Sequence, residues 1–230
     1  MVRQELSDAY EAHIAYPIYA AAAMTRKIVS DTQTSHQAYE EIQRLTKQYN
    51  TLNHGKWNGL MDAAPRQLPV FGNVCGQLAD DESFEGIACN AYDYDAASTG
   101  CQGIQMLGHS MNAVSIPKSG ELVYHFHAQR EGDAVLYTAM IPTQPNDRGD
   151  LRYQVTLDDQ QPVVISLKEK FRSDFWKLSV LRGQALKQTA VKLTKGDHTL
   201  KIKALDDHII MDQWMIDFKK DRKFYVIPCE

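Results

Sequence analysis

The sequence predicts an α+β fold that is mostly β: an N-terminal helical hairpin followed by an antiparallel β-sandwich or jelly roll. Three observations carry this. Apolar residues recur at steps of three and four through the first sixty residues. A turn-rich stretch closed by Pro65 and Pro69 then marks a linker. Beyond it the texture changes to short alternating runs separated by turn signals, the spacing expected of a sandwich.

In the first helix Leu6, Tyr10, Ile14 and Ile18 lie four apart along one face, and Ala20 to Ala23 are strong helix formers. Pro17 inside this pattern is expected to kink or restart the helix. Asp31 to Thr34 is a polar break, and Thr34 with Gln37 has capping-box spacing. A second helix follows with Ala38, Ile42, Leu45, Tyr49 and Leu52 on its apolar face. A hairpin of this size buries too little apolar surface to offset its chain entropy. It must pack on the rest of the chain, dimerise, or belong to a larger helical domain. The loop Asn53-His54-Gly55-Lys56-Trp57-Asn58-Gly59 comes next, and the domains are read as 1–68 and 69–230.

In the second domain the predicted strands are Glu121–Gln129, Ala134–Ile141, Leu151–Leu157, Val163–Leu167, Phe175–Leu181, Ala185–Leu193, His198–Ala204 and Ile209–Phe218. Asp158 to Pro162 closes a hairpin between the third and fourth. No Gly-rich strand-to-helix turn occurs, which argues against a nucleotide-binding α/β fold.

Composition narrows the function classes. Of 230 residues, 43% are apolar and 23% charged, ordinary values for a globular chain with a real core. The net charge is −4 with no basic stripe, so nucleic acid is not the expected partner. No apolar run is long enough to span a membrane. Met1 to Tyr10 carries Glu5 and Asp8 and no apolar core, so it does not read as a signal peptide. That predicts a cytoplasmic protein or a chain whose native start lies upstream. Cys75, Cys89, Cys101 and Cys229 show no C-x-x-C spacing, which argues against zinc. They read as isolated thiols, with a Cys89–Cys101 disulfide as the alternative.

These residues carry a family resemblance. Tyr16-Pro17 before a small-residue helix, Tyr49-Asn50, and Gly55-Lys56-Trp57-Asn58-Gly59-Leu60-Met61-Asp62 resemble the C-terminal region of glycoside hydrolase family 115, the xylan α-glucuronidases. Similar blocks continue in the β part: Met111-Asn112-Ala113-Val114, Ile141-Pro142-Thr143-Gln144-Pro145-Asn146, Leu151-Arg152-Tyr153 and Trp176-Lys177-Leu178-Ser179-Val180-Leu181. Gly196-Asp197-His198-Thr199-Leu200-Lys201-Ile202 and Met211-Asp212-Gln213-Trp214-Met215-Ile216 close the series. The resemblance implies that the catalytic domains lie N-terminal to this region and carry the acid and base. It implies a parent enzyme, secreted or periplasmic, that removes 4-O-methyl-glucuronic acid from xylan without a cofactor. This segment would support it by domain packing, homodimerisation, or contact with xylan or glucuronoxylan oligosaccharides. The alternative is a stand-alone carbohydrate-binding protein.

No pair among the acidic residues stands out as catalytic, and Asp80-Asp81-Glu82 and Asp206-Asp207 read as solvated turns. His125 and His127 share a strand face without a third metal ligand. Sandwiches of carbohydrate-binding families 6 and 35 hold a structural Ca²⁺ through a Glu-Ala-Glu segment and a late Leu-Asp segment. Here the first reads Asn90-Ala91-Tyr92-Asp93-Tyr94 and only Asp212 remains of the second, so no metal is expected and Asp212 is read as a structural hydrogen-bonding group. The candidate sugar-stacking residues are Trp57, Tyr92, Tyr94 and Trp176, in or beside loops; packing in a core or interface competes with that role. Trp214, alternating with Ile216, is read as core.

Overall fold

The computed structural model describes residues 2–30, 32–65, 71–72, 84–144, 149–222, 224 and 226–229. Pro69, Cys75, Asp80 to Glu82 and Pro145-Asn146 lie outside them, as does the expected boundary at 68/69. The chain divides into two compact units, Met1–Glu82 with Lys223–Val226, and Ser83–Arg222 with Ile227–Glu230.

The first unit is the helical hairpin. Helix α1 (Val2–Tyr10) runs through a π turn (Glu11–Ala15) into α2 (Tyr16–Val29), and α3 (Thr32–Thr51) returns against α2. Pro17 sits in the first turn of α2, directly after the π turn. The wider π turn just before it takes up the discontinuity that Pro17 imposes. Helix α3 begins at Thr32, so Thr34 lies inside its first turn and is not the cap that the Thr34–Gln37 spacing predicts.

The seam pairs small with large. Ala12, Ala15 and Ala23 are buried on one side, and Ala38, Ile42, Leu45 and Tyr49 on the other. Ser35 donates to the Lys27 carbonyl at 2.7 Å, and the backbone N–H of Asn53 donates to Asp8 at 2.8 Å. The Leu6, Tyr10, Ile14 and Ile18 stripe takes no part. These side chains remain between 48% and 66% exposed.

The second unit is an antiparallel sandwich. One sheet runs β3 (Gln102–Gln105), β4 (Asn112–Ile116), β11 (Ile209–Asp217), β6 (Gly132–Met140), β9 (Ala185–Leu193), with β1 (Ile87–Asn90) also paired to β11. The other runs β2 (Ala96–Ala97), β5 (Glu121–Ala128), β10 (Gly196–Ala204), β7 (Arg152–Leu157), β8 (Val163–Ser166). Leu122, Tyr124, Tyr153, Val155, Leu200, Ile202, Met211, Trp214 and Ile216 build the core between them. Strands β1 to β4 escape the sequence reading because each is only two to five residues long, too short for alternation to show.

Strand β11 carries a bulge. Met211 pairs with Met140 while Gln213 pairs with the adjacent Ala139, so Asp212 is the extra residue. The bulge reverses the alternation of faces. Met211 and Trp214 both join the core although they are an odd three positions apart.

Phe175–Leu181, expected as a strand, is instead helix α4 (Asp174–Arg182). Its apolar run reads equally well in either period, and the ends decide. Ser173 caps it by accepting the Trp176 backbone N–H, and Gly183 closes it at φ 75°.

A buried histidine ties two hairpins together. His198 lies between Asp158 (Nδ1 to Oδ2 2.7 Å) and the Thr194 carbonyl (Nε2 to O 2.8 Å), stacked on Phe126. Burial disfavours its charged form, but Asp158 and the carbonyl outweigh this and hold its pKa above the ordinary value. Its stabilising contribution is therefore complete below the ordinary histidine value of about 6.5 and fades as pH rises through the elevated one. Urea denaturation at pH 6 and pH 8 is expected to show wild type losing more stability than His198→Gln over that rise. Parallel losses would refute the assignment.

Candidate functional site

Trp57 belongs to the helical unit. Gly55 (φ 78°) and Gly59 (φ 80°) supply the left-handed turns that bracket it. Its ring stacks on Tyr49 at 5.8 Å, and Tyr49 lies 4.8 Å from Tyr16. Asn50 clamps the returning loop, donating to the Met61 carbonyl at 2.9 Å and accepting the Met61 N–H at 3.1 Å. The Tyr-Asn and Gly-Lys-Trp blocks are thus two halves of one packing motif, and Trp57 is partly buried within it.

Tyr92 and Tyr94 lie just past β1 and meet edge to face at 5.8 Å. Tyr92 is 46% exposed, whereas Tyr94 packs against the core. Gly103 makes room for the Tyr92 ring, since a Cβ there would stand 2.5 Å from it. The turn beneath is fixed by the Tyr124 hydroxyl, which donates to the Ala91 carbonyl at 2.7 Å. Burial pushes the Tyr124 phenol pKa up, so it stays a donor.

Behind this loop lies Asp212, fully buried. Its carboxylate accepts the His109 N–H (2.8 Å), the Ser110 N–H (3.1 Å), the Ser110 hydroxyl (2.6 Å) and the Gln184 amide (2.6 Å). Gly108 (φ 79°) is indispensable here, because a Cβ would fall 2.1 Å from the carboxylate. Since the carboxylate is surrounded by N–H and O–H donors, the residues present do not fit a hard cation. Among the described residues no group of three or more His, Cys, Asp or Glu could hold a metal. Cys89, Cys101 and Cys229 are free thiols, and burial pushes Cys89 and Cys229 up to about 12.

Trp176 stands on α4, meeting Phe171 edge to face at 5.1 Å. Of the residues in α4 only Ser179 is buried, while Phe175, Val180 and Leu181 are exposed. His125 and His127 share the outer face of their sheet, bonded to Thr199 (3.1 Å) and Asp197 (2.7 Å) across the strand pair. They border a shallow groove of about 470 Å³. Asp206 is more than a solvated turn residue: it takes a bidentate pair from Arg152. The four aromatic candidates therefore fall in three places. Phe171 and Phe175, which the sequence reading passed over, extend the third; the basic residues clustered around them were the available signal.

The second unit is a two-sheet antiparallel sandwich. The chain is similar to the C-terminal family 6 module of LamC, a laminarinase from Zobellia galactanivorans (11% identity, TM-score 0.43, 57% of this chain and 98% of that one). It is likewise similar to a family 35 module from Clostridium thermocellum (12% identity, TM-score 0.42, 57% and 98%).

The profile of the glycosyl hydrolase family 115 C-terminal domain matches residues 94–230, and the chain belongs to that family. A solved family GH115 4-O-methyl-α-glucuronidase, BtGH115A, with specificity for decorated arabinogalactans, is 33% identical over 90% of this chain, with a TM-score of 0.60. This chain spans 29% of that enzyme's length. No curated protein matches it.

Proposed function

We propose that this chain is the non-catalytic C-terminal region of a longer α-glucuronidase-like hydrolase acting on xylan-type polysaccharide outside the cell. Its helical unit packs against the preceding catalytic domains, and its sandwich contacts the polysaccharide through exposed aromatics. The observation that carries the reading is the stripe of Leu6, Tyr10, Ile14 and Ile18, left uncovered although it spans α1, the π turn and α2. Contiguous apolar surface of this kind marks an interface. Homodimerisation through the same stripe is the second form of the reading, favoured by the same exposure. A stand-alone carbohydrate-binding protein remains the alternative function.

The test is the triple variant Leu6→Gln, Ile14→Gln, Ile18→Gln, in this chain alone and in the full-length polypeptide from the same reading frame. Alone, its stability should change by no more than about 1.5 kcal/mol, at about 0.5 kcal/mol for each of three exposed sites. In the full-length protein the thermal midpoint should fall and protease cleavage before residue 1 should rise. If the full-length protein is indifferent and sedimentation shows a dimer of wild type that the variant loses, the dimer form replaces domain packing. Release of glucuronic acid from aldouronic acids by the pure chain would overturn the non-catalytic reading.

A further inference from the structure

We propose that α4 and the segment leading into it form a binding surface for a carboxylate-bearing glycan. Aromatic rings take the apolar faces of the sugars, and the cations beside them take the carboxylates. This deepens the polysaccharide-contact part of the function proposed above and rests on it.

The first support is that α4 has no buried apolar face. Phe171 is 68% exposed, Phe175 49% and Leu181 41%, in a unit whose other large apolar side chains mostly fill the core. Such an exposed cluster is rare on a folded surface and marks something that binds there.

The second is charge. From Lys168 to Lys187 six basic residues stand against Glu169 and Asp174, a local balance of +4 in a chain of net charge −4. The occupant that complements this surface is an anion. The cations also sit over the rings themselves. The Arg172 guanidinium lies 5.4 Å from the Phe171 ring centre, and the Lys187 ammonium 5.1 Å from that of Phe175. Protein-binding patches exclude lysine from their centres. A uronate has the complementary form, because its C–H face and its carboxylate belong to the same ring.

The third is preorganisation. Arg172 adopts φ 60°, an uncommon conformation for a residue with a Cβ, and reverses the chain just before the Ser173 cap. The approach is pinned by Lys168 donating to the Gly149 carbonyl at 3.0 Å, by the Glu169 N–H donating to Gln144 at 3.3 Å, and by Lys187 pairing with Glu169 at 2.6 Å. A surface held in place before binding loses less entropy when it binds.

The experiment is affinity gel electrophoresis of the whole chain in gels containing sodium polygalacturonate, glucuronoxylan, neutral arabinoxylan, or polyglutamate as a polyanion without sugar. Retardation is expected in the two uronate polymers and not in arabinoxylan or polyglutamate. Phe171→Ala with Phe175→Ala, and separately Lys170→Gln with Arg172→Gln, should each weaken it at least tenfold. These side chains are exposed, so a circular dichroism melt serves to confirm folding, and the charge variant stands in should the aromatic one unfold. Equal retardation in polyglutamate reduces the surface to nonspecific charge and overturns the proposal, as do wild-type binding by both variants and absence of retardation. Retardation in neutral arabinoxylan that Tyr92→Ala abolishes would move polysaccharide contact to the Tyr92 loop, overturning the α4 assignment while leaving the proposed function intact.

Discussion

Asp212→Ala should cost about 4 kcal/mol, since it strands several buried donors at once and each unpaired buried group costs roughly 1–3 kcal/mol. Those donors are the His109 and Ser110 N–H groups and the Gln184 amide, with the Ser110 hydroxyl as a fourth that can rotate away. In a chain of this size the thermal midpoint should fall by about 10 °C. Gly108→Ala approaches the same carboxylate from outside and should be disruptive for the same reason, because its Cβ would overlap Asp212 and φ is 79°. Differential scanning calorimetry of both variants decides it. A loss under about 1 kcal/mol for Asp212→Ala would mean that the loop carrying His109 and Ser110 finds other partners, and the carboxylate would not be the node described.

Trp214→Ala should be comparably severe, about 3–5 kcal/mol, the usual range for emptying a large aromatic from a core. The indole is 1% exposed, 5.4 Å from the Tyr124 ring and 5.5 Å from that of Phe126. Trp214→Phe should cost much less, roughly 1–2 kcal/mol, because volume is partly kept and no hydrogen bond is lost. The indole N–H has no hydrogen-bond partner among the described residues, so replacing it removes a buried donor left unpaired by them. Urea midpoints of the pair test this. If phenylalanine proved as costly as alanine, the N–H would have to be bonded, through a water for instance.

The parts of this fold that were legible are those where one period governs a whole element. Ala38, Ile42, Leu45 and Tyr49 declare the buried face of α3, and they are its buried apolar residues, with Ser35 and Thr46 buried beside them and Leu52 half-buried past its end. The later strands from Glu121 to Asp217 announce themselves by alternation and turn residues, apart from the stretch that became α4. There the short apolar run from Phe175 to Leu181 satisfied neither period decisively, and two capping residues settled the matter. The stripe from Leu6 to Ile18 was legible as a face, but its meaning was not, since periodicity reports that a surface is apolar and not what covers it. The family was legible because its motifs are packing devices: Asn50 clamps Met61, and Tyr49 carries Trp57. The partners of Asp212 were not, because His109 and Ser110 lie 103 and 102 residues away in sequence. The bulge that aims Asp212 toward them breaks the very alternation by which a strand is recognised.

The π turn at Glu11–Ala15 winds one residue more into the first helix than an α-helix would hold. Deleting a residue there would restore an unbroken α-helix while turning everything before it by about 100° about the axis. Leu6 and Tyr10 would swing out of line with Ile14 and Ile18, yet Ala23 and its partners on α3 would not move. The turn thus works as an index mark. It sets the phase between two half-surfaces, so a change in length there would spoil the fit of whatever docks outside and would also pull Ala12 from the hairpin seam and Asp8 from Asn53, while the contacts made by α2 itself stay in place.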